Sequence, residues 1–431
     1  MANDPFPYDF GRLDIGAEST LNDESGNYRT TNAAVLDRGS LEIAALRPGA
    51  QTAADYSQGV IVGATRGTLS TRHELHGWSS DGASIAAAPT ASYAVATPSS
   101  ITLAEYVAAA LGNFVGGGYV STAFTGSTTS IIKVGDGHAA SFQVGQAVTF
   151  DAGASEQPRY PVAWIKEIDA TGDPGEPDEL DLLATLPTAA TGSGAKLYGS
   201  ITCFQKTAQP YYDGATKGWS LKYFGNNAAD LVIATGAQPS AMAFEFADSE
   251  LCAVTITWSV SSFSEEGSGG GAVVGAYSYP AAEPFIGAWV TFSDASSPSY
   301  ANSYRIQGLS VDLGIESIAV IDPSQESGVA GFQIVRRNPT VTFSVYRDVD
   351  EEVDDFVSQT GKTFAMQIGS EPGRMIALLV PNALITSYPT AQNLDGMVGA
   401  TVTVEAGNYT GDTGSAADTN PIDTNFRIAF L

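Results

Sequence analysis

Only two stretches of this chain read as helix, and each sits at the same point in a similar succession of strand-like runs. The first, "TLAEYVAAALG", has Thr102 and Glu105 in capping-box spacing. Leu103, Tyr106, Val107 and Leu111 share one face, and Gly112 marks the stop. The second, "DVDEEVDDFVSQTG", carries acids in its first turn, where they favour the positive end of the helix dipole. Val349, Val353, Phe356 and Val357 form its predicted apolar stripe, and Gly361 ends it. Before the first helix, "SLEIAAL" leads through the loop Arg47–Gln58 to "GVIVGATRGTLSTRHEL". Before the second, "GLSVDLGIESIAVI" leads through Asp322–Gly328 to "VAGFQIVRRNPTVTFSVY". After the helices, "KGWSLKYFGN" matches "KTFAMQIGS". "LVIATGAQPSAMAFEFADSELCAVTITWSV" then matches "IALLVPNALITSYPTAQNLDGMVGATVTVEA" in order and length. The pattern predicts a mainly β fold made of a duplicated unit with one helix per copy.

A chain of 431 residues exceeds a single ordinary core. Residues 1–40 are polar and turn-rich and read as an N-terminal arm. The first unit is predicted over 41–114 and 199–262, interrupted by 115–198. That interruption carries its own short strands, "SIIKV", "FQVGQAVTF", "YPVAWIKEI", "LDLLATL" and "AKLYGSI", and reads as a small inserted β-subdomain. Residues 263–284, "GSGGG" included, read as a flexible linker, and 285–431 form the second unit.

The charge balance is 20 Lys and Arg against 47 Asp and Glu, a net −27. Such a surface repels nucleic acid and anionic membranes, so tight binding of either is disfavoured. Cys203 and Cys252 both sit in apolar strand-like runs, where a buried free thiol is the usual state. The N-terminus lacks a basic and an apolar signal region, and no run approaches the ~18 apolar residues of a membrane span. The expectation is synthesis in a cytoplasm without secretion.

Candidate chemistry is sparse. Six acids fall between Asp348 and Asp355, but they lack the fixed odd ligand positions and turn glycine of a cation loop. They read as a solvated helix start. Asp169–Asp181 lacks a calcium-loop pattern and reads as an exposed turn. His73 and His76 are three apart on a predicted strand, which points them to opposite faces, and His138 has no nearby partner. "GSGGGAVVG" does not open a helix, as a phosphate loop must. "NYT" at Asn408 is a formal glycosylation acceptor attributed to chance. The expectation is no enzyme, with no catalytic, cofactor-binding or metal residue assigned.

The strand–loop–strand–helix–strand order in both copies resembles the tail tube proteins, or major tail proteins, of long-tailed bacteriophages, most nearly of siphovirus type. The "IGAESTLNDESG" arm, the β-insertion after "EYVAAALG" and the terminal "TNFRIAFL" share in the resemblance. It implies two tandem β-sandwich domains, each with a flanking helix, contributing strands to a closed inner barrel of a ring. Family rings have six such units, so two per chain imply a homotrimer with pseudo-sixfold symmetry. The implied partners are the chain itself in stacked rings, a tape measure protein, and tail terminator or distal tail proteins. Genomic DNA would pass through the lumen without tight binding, and the implied location is the virion after assembly in the host cytoplasm. Closing strands from several units into a barrel would also remove every exposed sheet edge. The two long loops would reach an adjacent ring, and the arm and linker would add contacts there.

The alternative is a β-rich adhesin or carbohydrate-binding surface protein, with aromatics such as those of "YPVAWI" and "PYYDGATKGW" stacking on sugars.

Overall fold

The computed structural model describes residues 12–18, 29–31, 34–37, 41–46, 61–77, 103–116, 119–121, 126–152, 156, 158–170, 177–189, 196–205, 218–225, 230–247, 250–266, 284–286, 288–300, 303–325, 328–346, 350–369, 371–387, 389–394, 396–412 and 424–431. It is mainly β, with antiparallel sheets and two α-helices of nine residues each. The loop Arg47–Gln58, Val349 and residues 267–283 of the expected linker lie outside the described residues.

The spine of the first half is the 18-residue strand Asp230–Ala247. Its first part pairs with Gly218–Gly225 on one side and Ser262–Glu266 on the other. Its second part pairs with Ala253–Val260. Gly218–Gly225 is flanked in turn by Arg12–Glu18. Ala253–Val260 is flanked by Ile61–Glu74, which carries Ala34–Asp37 and Leu41–Leu46 along its far edge.

The second half repeats this pairing order. Trp289–Asp294 flanks Lys362–Ile368, which pairs with Ile376–Ile385. Ile376–Ile385 pairs at its start with Arg427–Phe430 and at its end with Met397–Ala406. Met397–Ala406 pairs with Thr340–Val345, and that strand with Ile306–Asp312. Even the bulge recurs. Between Leu221↔Ala234 and Trp219↔Ala237, one residue of one strand faces two of the other, and the same happens between Phe364↔Val380 and Lys362↔Ala383. A bulge bends a strand and increases its twist, so each long strand can serve two sheets.

A strand seam joins the two halves. The outer edge of Asp230–Ala247 takes Ile306–Asp312, from Ala243↔Asp312 to Ala247↔Gly308. Four strands of each half thereby form one run of eight: Ala34–Asp37, Ile61–Glu74, Ala253–Val260, Asp230–Ala247, Ile306–Asp312, Thr340–Val345, Met397–Ala406 and Ile376–Ile385. Among the described residues its two ends do not pair with each other, so one chain does not close it.

Several expectations are corrected. Within the expected arm 1–40, the described residues Arg12–Glu18, Arg29–Thr31 and Ala34–Asp37 are strands of the sheets. Leu13 and Ile15 are buried with the main core, and it is their alternation that fixes the strand. The expected linker begins inside the strand Ser262–Glu266. Leu103–Leu111 is buried on every side described, as suits a helix that is apolar all round. In Asp350–Ser358, Val353 and Phe356 are half-buried but Val357 is 73% exposed, so Val357 does not belong to the core stripe. This helix ends on Gln359, at φ 54, and not on Gly361. The Asp355 carboxylate, from the acidic cluster, meets Lys362 Nζ at 2.8 Å.

The insertion forms a six-stranded antiparallel sheet, in the order Tyr119–Ser121, Lys196–Gly199, Ala147–Phe150, Val162–Asp169, Asp178–Leu182, Ile131–Val134. Its core of Ile132, Phe150, Trp164 and Leu180 continues into Ala377, Leu379 and Ala429 of the second half. The side chain of Gln367 accepts the Val162 N–H at 2.9 Å and donates to Tyr160 O at 2.7 Å. The stalk strands Gly112–Gly116 and Ile201–Gln205 extend the second half's sheet beside Arg427–Phe430. The insertion therefore belongs by sequence to the first half and by packing to the second.

Candidate functional site

The run of eight strands separates its residues cleanly by face. Leu69, Ile256, Trp258, Phe244, Val311, Phe343 and Val404 point into the core. Alternation places the opposite residues on an open face, where they are exposed or half-exposed. Those residues are small and hydroxylated: Thr68 and Ser70, then Thr255, Thr257 and Ser259, then Ala241 and Ala243. Beyond the seam the carpet continues with Gly308 and Ser310, then Thr340, Thr342 and Ser344, then Thr401 and Thr403. Register aligns them into rows that cross the seam, such as Glu245–Ser310–Thr342–Thr403. Thr342 and Thr403 hydroxyls lie 3.3 Å apart, and Ser344 and Thr401 hydroxyls 3.2 Å.

Four acids stand on this face: Glu74, Glu245, Asp312 and Glu405. Arg66 and Arg72, both on Ile61–Glu74, are its bases; Met397 and Leu384 are long aliphatic side chains at its far end, and no aromatic side chain projects from it among the described residues of these strands. A face of this kind offers neither a stacking platform nor a cluster of cations. Contact with a polyanion would be repulsive or neutral, and hydrated hydroxyls leave it smooth.

The second feature is the pair of sheet ends. At one, Ala34–Asp37 pairs with Ile61–Glu74 and with no other described strand. At the other, Ala391–Leu394 pairs only with Met397–Ala406. Unpaired strand edges are templates for another strand.

No chemistry-bearing cluster competes with this surface. Among the described residues no group of three or more His, Cys, Asp or Glu could hold a metal ion. His73 and His76 were expected on opposite faces, but their rings lie 5.5 Å apart and both are buried. The strand ends at Glu74, so alternation no longer governs His76. Each Nδ1 faces a backbone carbonyl, Glu74 O at 2.5 Å and Gly77 O at 2.7 Å. Burial, then the neighbouring His76, pushes His73 down to about 3. Tyr106, 5.5 Å from His73, shares a hydrogen bond with Thr71 Oγ1 at 2.6 Å, and Trp258 Nε1 donates to the same oxygen at 2.9 Å. These groups fasten the first helix to the sheet. His138 is exposed, and Cys203 and Cys252 are buried free thiols. Burial also raises the Cys203 thiol, which leaves it unreactive.

A small, half-open cleft lies at the insertion seam, between Pro158, Pro161 and Trp289. Gln367 and Thr291 line it too, and the hydrogen bonds of Gln367 join its two walls. No helix of the described residues is long and apolar enough to cross a membrane. The open face and its edges were legible only in part from sequence: alternating Thr and Ser in "AVTITWSV" and "TVTFSVY" marked a solvated side, but not which strands are neighbours. Neither a protein-family model nor a curated protein sequence matches this chain.

Proposed function

We propose that this chain is a structural subunit whose copies complete one another's sheets to form a hollow ring, the tail tube or major tail protein of a long-tailed bacteriophage. The observation that carries the reading is the eight-stranded run. Two like sets of four strands lie side by side, with an apolar face packed inward, a hydroxyl-rich face left open and, among the described residues, no outer neighbour for the edges Ala34–Asp37 and Ala391–Leu394. The seam between the sets is a working example of how one unit accepts the next. Repeating it at the free ends would join further copies head to tail, and such a heterologous contact closes into a ring when the rotation permits. Three chains would present six four-strand units as a pseudo-sixfold annulus, with each half a sandwich unit carrying one helix.

In that annulus the open face lines the lumen. Its acids and small hydroxyls would let duplex DNA pass without the counterion release that retains it on cationic surfaces. The expected loop Asp322–Gly328 joins the two strands of a ribbon, Glu316–Ile321 with Val329–Arg336. Ile318, Ile321 and Val335 are exposed along it, which suits contact with a stacked ring. A tape measure protein inside the tube, and terminator or distal tail proteins at its ends, complete the proposed setting in a virion. The role is structural, without catalysis.

The adhesin reading has less support. Trp164 of "YPVAWI" is 1% exposed, inside the insertion core, and offers no platform for a sugar.

Negative-stain electron microscopy across a concentration series, paired with light scattering, tests the proposal. Annuli or tubes with threefold or pseudo-sixfold symmetry are expected. Discrete monomers at every concentration would overturn it.

A further inference from the structure

The internal repeat makes it possible to ask which surfaces of the second half are bare where their counterparts in the first half are covered. Pairing ladders set the correspondence. Thr68 lies opposite Ser259 as Thr340 lies opposite Glu405, and Val254 is to Phe244 as Ala400 is to Ala391. In this correspondence Cys252 matches Val398, and Phe244–Ala247 match Ala391–Leu394. The two nine-residue helices align end to end, which matches Ala110 with Val357.

The two sets differ sharply in exposure. Cys252 and Ala110 are both 0% exposed, whereas Val398 is 67% and Val357 73% exposed. The first-half residues lie beside the seam. Phe244–Ala247 pair there with Gly308–Val311, and Arg337 of the second half donates its Nε–H to Ala110 O at 2.8 Å. On the second half, the matching edge Ala391–Leu394 has no outer neighbour among the described strands.

We infer that Val357, Val398 and the edge Ala391–Leu394 form one docking surface, and that its occupant is the strand Ala34–Asp37 of a second copy of this chain. The inference rests on the ring-building reading and adds its contact and its register. Ala34–Asp37 is the counterpart of the strand that fills the internal seam. Val35 faces Thr71 as Leu309 faces Phe343, and Ala34 faces Arg72 as Gly308 faces Ser344. Inside the chain Gly308 lies opposite Ala247 and Leu309 opposite Phe246. Between chains, therefore, Ala34 lies opposite Leu394 and Val35 opposite Asn393.

The two seams are not equal. The internal one is reinforced by the insertion, whose stalk strands extend the second half's sheet. The second half has no insertion to reach a following copy. Only Gln359, Thr360 and Gly361 separate its helix from the next strand. The contact between chains thus depends on the strand edge and the two valines, and it is the weaker junction of the ring.

Disulfide trapping reads the register directly. Facing residues on antiparallel strands have Cα atoms about 4.5–5.5 Å apart, within disulfide reach. The variant Ala34→Cys with Leu394→Cys, oxidised at a concentration that supports rings, should give covalent dimers and closed trimers on a denaturing gel. A control, Asp37→Cys with Leu394→Cys, is displaced by three residues, about 10 Å, and should not cross-link. The native thiols are buried and stay silent. In a separate variant, Val398→Asp should raise the concentration needed for assembly about tenfold or more, with monomer unfolding unchanged. Rings that form without cross-linking, or that assemble normally with Val398→Asp, overturn this contact and leave the ring reading intact. A chain that stays monomeric at every concentration overturns both.

Discussion

Glu18 and Gly236 lie 218 residues apart in sequence, and Glu18 Oε1 accepts the Gly236 N–H at 2.8 Å. The same oxygen accepts the Ser220 hydroxyl at 2.6 Å, in a site where Glu18 is 1% exposed. Gly236 takes φ 61 at the bulge of the long strand, so the carboxylate pins the first strand to the point where that strand changes sheets. Glu18→Ala leaves two buried donors without their acceptor and should cost about 1–3 kcal/mol. Glu18→Gln keeps one acceptor oxygen and should cost less. Urea midpoints rank the two variants, and amide exchange over Arg12–Glu18 should rise in the alanine variant first.

Acid should weaken the first half through its buried histidines. His73 is pushed from 6.5 down to about 3, mainly by burial, and His76 is lowered for the same reason. The unfolded chain therefore binds these protons first. The stabilising effect of neutral His73 is complete above pH 6.5, declines as pH falls toward 3, and is flat below that, and His76 acts in the same direction. Each histidine contributes a slope of about 1.4 kcal/mol per pH unit inside its window. His73→Phe should flatten the acid limb of a stability-against-pH curve. An unchanged limb would assign the acid response to other groups.

How far the sequence carried depends on which physical signal each element left. Val341, Phe343 and Val345 alternate with Thr340, Thr342 and Ser344, so both the core and the open face were present in "TVTFSVY" before any pairing was known. Leu13 and Ile15 gave the same signal in "RLDIGAE", but it was outweighed by the polar residues that follow. Val357 misled because a helical stripe states which residues share a face and not how wide the covering surface is. His76 misled because a period of two holds only while the strand continues. The seam left no local trace at all. That Glu245 would face Ser310, or that the insertion would dock on Ala377 and Leu379, follows from tertiary packing between segments far apart in sequence.

The insertion is held partly by a buried ion pair, and its removal should be asymmetric. The Arg427 guanidinium meets the Asp412 carboxylate with both side chains at most 1% exposed. Tyr409 donates to Asp412 Oδ1 at 2.7 Å, and Arg427 Nε donates to Thr424 Oγ1 at 2.8 Å. Gly145 of the insertion sits over the guanidinium with space for a Cβ, but its φ of 84 would strain any other residue there. Asp412→Ala would strand a buried cation and should cost about 3–5 kcal/mol. Pairing it with Arg427→Leu should recover much of that loss, because the charge left behind is what is expensive. Thermal unfolding of both variants, with limited proteolysis of the insertion, measures the difference.

If the chain builds the proposed ring, reversing the open face should convert a passive wall into a retaining one. Glu74, Glu245 and Asp312 are exposed and Glu405 is partly exposed on the strands of the eight-stranded run, away from the core. Changing all four to Lys moves the formal net charge from −27 to −19, since each exchange adds two. Folding should be little affected, because surface substitutions of this kind usually stay within about 0.5 kcal/mol each. Duplex DNA too large to ignore the lumen, added to assembled rings in low salt, should bind the lysine variant and not the parent. Binding should fall steeply as salt rises, with the logarithmic slope growing by about 0.9 for each phosphate contacted. Fluorescence anisotropy of a labelled duplex across a salt series gives that slope. If the variant rings form but ignore DNA as the parent does, the hydroxyl-rich face does not line the path of the genome.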